Sequence, residues 1–251
     1  MDIVLLTALG VGGATVVGAV IGFAFKNISH KFSDLVLSFA AGVMLCAAVF
    51  SLVLPALDYA KNAPVLVVTL GIFSGALLLN LLDKLVPHLH KLSGTDFEEH
   101  NSNNKINKIL LFVMAIAIHN LPEGLAAGVG FGTGNNLEAL TIAGGIALQN
   151  IPEGMVIIAP MLAAGMSKKR TFLIASLTGV VEIIGTFLGY FAVSISSAIL
   201  PFALAFAGGT MLYVISDEMI PETHAHGSER GATYSLLVGF SVMLAFDVLL
   251  G

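Results

Sequence analysis

Eight apolar runs decide what this chain can become. They cover about 3–25, 33–57, 63–85, 106–130, 137–163, 171–194, 199–221 and 232–250. A helix needs roughly twenty apolar residues to cross about 30 Å of hydrocarbon, and each run supplies that length. The breaks between them read KNISHKFSD, YAKNAP, a polar stretch from Lys84 to Lys108, FGTGNN, GMSKKR, SSAILP and PETHAHGSERGA. The expected fold is all-α, a polytopic membrane bundle of eight transmembrane helices. It forms one membrane domain over 1–251, with a histidine-containing loop at 86–105. Only 11% of the residues are charged, against about a quarter in soluble domains, which excludes an ordinary soluble fold.

Charge placement orients the bundle. The breaks after runs 1, 3, 5 and 7 hold Lys26, Lys31, Lys84, Lys91, Lys105, Lys108, Lys168, Lys169, Arg170 and Arg230. The opposite side holds only Lys61. Lys and Arg favour the cytoplasmic side of a membrane, so both termini are expected outside, with the 86–105 loop and PETHAHG inside. The cationic residues form no basic face, so no nucleic-acid partner is expected. MDIVLLTALG carries an acid where a signal peptide needs positive charge, and it reads as the first spanning helix. Cys46, the only cysteine, excludes an intrachain disulfide framework and a cysteine-based zinc cluster. It reads as a small packing residue. Gly and Ala at four-residue spacing (Ala14, Gly18 and Gly22; Gly124 and Gly128; Gly185 and Gly189) read as helix-packing stripes.

Against this background the polar residues at mid-run stand out. Run 4 carries HNLPEG at 119–124, with His119, Asn120 and Glu123. Run 5 repeats it as QNIPEG at 149–154, with Gln149, Asn150 and Glu153. Run 6 adds Glu182, and Met44 of run 2 lies at similar depth. Positions i, i+3 and i+4 share a helix face, so each motif presents its polar groups together. Pro122 and Pro152 free the carbonyls of Ile118 and Leu148. The two runs are antiparallel. A motif repeated at mid-depth on both suggests an inverted repeat, with substrate bound at the midplane.

Three carboxylates at mid-membrane cost several kcal/mol unless paired, protonated or metal-bound, and no Lys or Arg stands at that depth. Carboxylates, amides and one imidazole suit a divalent first-row metal. A monovalent ion would leave most of the charge uncompensated. A structural network of protonated glutamates and a metal-free proton relay are the other two readings.

These motifs resemble the ZIP family of divalent-metal transporters, in its compact bacterial-type branch. The likeness rests on HNLPEG, QNIPEG, the run-6 glutamate and the eight-run plan, and it covers essentially the whole chain. It implies uptake of metal into the cytoplasm through a binuclear site between helices 4 and 5, by alternating access of one helix bundle sliding against another. The first metal would meet Met44, His119, Glu123, Gln149 and Glu153. The second would meet Asn120, Glu123, Asn150, Glu153 and Glu182, with Glu123 and Glu153 bridging. The family also implies a homodimer in the cell (inner or plasma) membrane. The cargo is Zn²⁺, with Cd²⁺, Fe²⁺ or Mn²⁺ as further substrates, and no organic cofactor is implied. Eukaryotic members typically have histidines where Gln149 and Glu153 stand, so broad divalent specificity is expected here.

Two further histidine groups invite metal. His88, His90 and His100 lie in the loop beside Asp96, Glu98 and Glu99, as a metal-receiving segment or a solvated loop. Glu218, Glu222, His224 and His226, next to Asp217, form a candidate exit site at the cytoplasmic mouth. His30 reads as interfacial. An intramembrane metal-dependent hydrolase is the alternative from another class. It lacks HExxH and has one membrane-embedded histidine, His119, where a catalytic zinc triad needs more. A metal sensor without transport is the third reading.

Overall fold

A computed structural model describes residues 1–25, 29–85 and 102–250. Each apolar run is helical: α1 Asp2–Ala24, α2 His30–Tyr59, α3 Pro64–Leu85, α4 Ser102–Val129, α5 Asn136–Ala163, α6 Lys168–Ile195, α7 Ser197–Thr223 and α8 Glu229–Leu250. Among the described residues, seven helices are long and apolar enough to cross a membrane: α1, α2, α3, α5, α6, α7 and α8. The breaks contain the expected stop and start chemistry. The side chains of Ser29, Asn135 and Ser167 cap α2, α5 and α6 by accepting from Phe32 N, Leu137 N and Arg170 N, which satisfies first-turn amides. Gly134 and Gly165 turn the chain at φ +77° and +87°, a region that glycine enters without steric cost.

Two helices contain wide turns that the apolar pattern alone does not announce. α2 is π-helical over Ala47–Val53 and α7 over Ile215–Met219. Each is followed within two residues by a proline, Pro55 or Pro221. A proline ring collides with the carbonyl four residues back, here that of Ser51 or Asp217, and the wide turn moves that carbonyl away. Pro122 and Pro152, by contrast, sit inside continuous α-helical stretches.

The helices pack as two four-helix groups. α1, α4, α5 and α6 form one, with α4 laid on α6 and α1 against both α5 and α6. α2, α3, α7 and α8 form the other, with α8 on α2 and α3 on α7. Inside each group, glycines let backbones touch, as where Gly154 meets the Thr15 carbonyl and Gly239 the Phe39 carbonyl. The seam between the groups runs chiefly along α2–α5 and α4–α7. The two motif helices therefore belong to one group and line its seam with the other.

Candidate metal centre

α6 contributes one carboxylate, and three other helices converge on it. Glu182 is fully buried. Its Oε1 accepts from Thr15 Oγ1 and from Asn120 Nδ2, each at 2.6 Å. Its Oε2 accepts from Asn150 Nδ2 at 2.6 Å. The Asn150 amide also reaches the Val11 carbonyl at 3.3 Å. Donors from α1, α4 and α5 thus satisfy both oxygens of a group that would be costly to bury alone.

One turn away the balance reverses. Glu123, 1% exposed, accepts from Gln149 Nε2 at 2.9 Å through Oε1. Its Oε2 has no hydrogen-bond partner, and neither do Glu153 Oε1, Gln149 Oε1, Asn120 Oδ1 and Asn150 Oδ1, all buried. Buried polar atoms are nearly always paired, so a cluster of orphans sharing one character asks for an explanation. These five are all acceptors. Acceptor oxygens without donors are complementary to a cation, and this mix of carboxylate and amide oxygen suits a hard or borderline divalent metal. Glu153 also interacts electrostatically with Glu123, Glu182 and His119, which puts the motif residues of both helices in one neighbourhood. Among the described residues, no three His, Cys, Asp or Glu side chains enclose an ion by themselves. A metal held here would need amide oxygens as well as carboxylates.

The remaining expected residues are placed differently. His119 Nε2 lies 2.9 Å from Glu218 Oε1, across the seam on α7. Met44, 1% exposed, is packed in the apolar core on α2, in the other helix group. The expected exit set is not assembled. Glu218 turns to His119, and Glu222 is exposed. His224 holds its own loop, with Nδ1 2.8 Å from the Ile220 carbonyl and Nε2 3.1 Å from Thr233 Oγ1. His226 Nδ1 meets Asp34 Oδ1 at 3.0 Å, and its ring stacks on His30 at 5.0 Å. The physical reason is helical phase: α7 ends at Thr223, so His224 and His226 lie in the turn beyond it, against α8 and α2, off the helix that carries Glu218. His30, expected at the interface, is exposed but has a ring partner. His88, His90 and His100 lie outside the described residues.

Two contributors escaped the sequence. Thr15 sits among Gly, Ala and Val in α1, where a threonine looks like any packing residue. Asp34, 2% exposed, lies in a charged break, where an acid reads as solvated.

Residues 90–247 match the ZIP zinc transporter family. The zinc transporter GufA of Myxococcus xanthus is 42% identical over 253 aligned residues, covering 98% of each chain. The zinc transporter ZIPB of Bordetella bronchiseptica is 39% identical, over 95% of this chain and 78% of its own length. The zinc transporter ZupT of Chlorobaculum parvum is 35% identical, over 92% of this chain and 91% of its own.

Proposed function

Because the chain belongs to the ZIP family of metal transporters, we propose that it carries Zn²⁺ into the cytoplasm through the centre formed by α4, α5 and α6. Cd²⁺, Fe²⁺ and Mn²⁺ are further substrates in this reading. The observation that carries it is the cluster of orphaned acceptors on Glu123, Glu153, Gln149, Asn120 and Asn150. A divalent ion bound there supplies the positive charge and the electrophilic partner that the protein withholds. Glu123 and Glu153 bridge two metals, the first completed by His119, Gln149 and Met44, the second by Asn120, Asn150 and Glu182. Glu182 then exchanges its amide and hydroxyl donors for metal.

The protein spans the cell membrane eight times as a single domain, with α4 as the eighth crossing, both termini outside, and a homodimer as the working unit. An inverted repeat is supported by a second pair of features besides the two motifs. The wide turns of α2 and α7 each precede a proline by two residues and lie in helices of opposite direction. Transport is a slide of the α1–α4–α5–α6 group along α2–α3–α7–α8, which presents the same ligands to one side and then the other. The relatives are named zinc transporters, and an intramembrane hydrolase finds no support among them.

The test is metal accumulation in sealed vesicles containing only this protein. Zn²⁺ is expected to accumulate, and Cd²⁺ and Fe²⁺ to compete. Glu123→Ala and Glu153→Ala should each abolish accumulation while the protein still inserts. Uptake that survives both changes would remove the assigned site, and a protein that binds Zn²⁺ without accumulating it would be a sensor.

A further inference from the structure

One carboxylate of the proposed site is held by α1, a helix that carries none of its ligands. Thr15, 2% exposed, donates from Oγ1 to Glu182 Oε1 at 2.6 Å. Asn120 Nδ2 donates to the same oxygen and Asn150 Nδ2 to Oε2, each at 2.6 Å. Asn150 Nδ2 also donates to the carbonyl of Val11 at 3.3 Å. Val11 is itself 1% exposed and stands four residues before Thr15 on α1. The Thr15 hydroxyl and the Val11 carbonyl are therefore one turn apart on one helix face. Each is satisfied by a residue assigned to the second metal.

Metal binding strands both groups at once. When Glu182 exchanges its donors for metal, the Thr15 hydroxyl loses its acceptor. When Asn150 turns to the same metal, the Val11 carbonyl loses its side-chain donor. A buried donor left without a partner is costly. A helical threonine has a remedy, because it divides between two χ1 positions, one of which lets Oγ1 donate to the carbonyl three or four residues back. Four residues back from Thr15 is Val11. Resting on the transport site proposed above, we infer that Thr15 is a two-position switch, donating to Glu182 before metal arrives and to the Val11 carbonyl once metal is bound. Thr15 touches no metal and is a positioning residue. It also sets affinity, since the bond given up is to a carboxylate and the bond gained is to a neutral carbonyl. Charge-assisted hydrogen bonds are about twice as strong as neutral ones, so the hydroxyl favours the arrangement without metal.

The test is Cd²⁺ titration of the full-length protein in detergent. Thr15→Val replaces the hydroxyl with a methyl group and should bind Cd²⁺ about three- to tenfold more tightly than the parent, because Glu182 has one charge-assisted bond fewer to give up. Thr15→Ser keeps the hydroxyl and should return to parental affinity. Damaged packing weakens binding and cannot produce this sign. Should Thr15→Val fail to insert, Thr15→Ala carries the same expectation and decides in its place. A crystal structure of the Cd²⁺-loaded parent should show Thr15 Oγ1 within hydrogen-bond distance of the Val11 carbonyl and withdrawn from Glu182. Unchanged or weaker binding without the hydroxyl, or Oγ1 still on Glu182 with Cd²⁺ bound, overturns the inference. Glu123→Ala separates this result from the underlying site: it should lose Cd²⁺ binding whatever Thr15 does, and parental affinity there would unseat the site and the switch with it.

Discussion

The interior of each helix group and the seam between them are built from different contacts. Within the groups, most of the closely packed glycines face backbone. Gly18 lies against the Ile151 carbonyl, Gly124 against that of Glu182, Gly185 against that of Leu121 and Gly42 against that of Leu236. At the seam, Gly144 faces the Phe246 ring and Gly145 the Met243 thioether. A backbone carbonyl cannot step aside by changing rotamer, whereas a methionine adapts readily. In lipid, where close packing rather than hydrophobic burial drives helix association, the first kind of contact makes a rigid unit. The second makes a joint that can re-pack. The motif helices belong to one unit and carry the proposed site at the joint, as the proposed slide would require.

The largest predicted effect comes from fixing the joint. A Cβ on Gly145 would lie 3.8 Å from Ala47 Cβ across the seam, close to the mean of about 3.8 Å in disulfides. In a Cys46→Ala background, Gly145→Cys with Ala47→Cys should form a bridge under oxidation. Vesicle uptake should then fall to the level of protein-free vesicles and recover on reduction. Gly130→Cys with Ala139→Cys is the matched control, with a Cβ separation of 3.7 Å inside one group. Oxidising that pair should leave uptake nearly intact. Equal inhibition by both bridges would mean that the groups are not the moving units.

The next effect separates the two contact types by stability. Gly239→Ala drives a methyl group at the Phe39 carbonyl, and overpacking of this kind costs about 1–3 kcal/mol. Gly144→Ala meets only the Phe246 ring edge, 2.7 Å from the new Cβ. Ring movement and the higher helix propensity of alanine, up to about 1 kcal/mol, should hold the net change below about 1 kcal/mol. Thermal unfolding in detergent compares them. A reversed order would break the distinction between backbone lock and side-chain joint.

These contacts also show how far the sequence could be read. The eight helices were legible because membrane thickness fixes run length and the breaks carry charge, caps and glycine. The motif residues were legible because His119, Asn120, Glu123, Gln149, Asn150 and Glu153 are costly in an apolar run and repeat at one spacing. The wide turns could have been suspected from Pro55 and Pro221, since proline disturbs the turn before it. Thr15 could not, because only the packing of α1 on α5 and α6 turns its hydroxyl into a donor to Glu182. The partition of histidines was equally hidden. His119 with Glu218, and His226 with Asp34 and His30, are pairs far apart in sequence, chosen by helix phase and the route of the 224–228 turn. Grouping Glu218, Glu222, His224 and His226 by sequence proximity ignored that phase.

The smallest predicted effect lies at the other end of the seam. Tyr59, the last residue of α2, donates from Oη to Glu138 Oε2 at 3.1 Å, and Glu138 stands in the first turn of α5. This bond joins the two groups opposite the His119–Glu218 contact, and both partners are partly exposed. Tyr59→Phe keeps the ring and removes the hydroxyl, at a cost of about 0.5–1.5 kcal/mol, with solvent exposure favouring the lower figure. A bond present in one position of the joint can shift the balance between positions by no more than its own free energy. Tyr59→Phe should therefore raise the maximal uptake rate by less than about tenfold, the factor equivalent to about 1.4 kcal/mol, with KM for Zn²⁺ unchanged because the hydroxyl touches none of the proposed ligands. A fall in the maximal rate would show that this bond forms on the productive path. A change in KM would place Tyr59 on the route by which metal arrives.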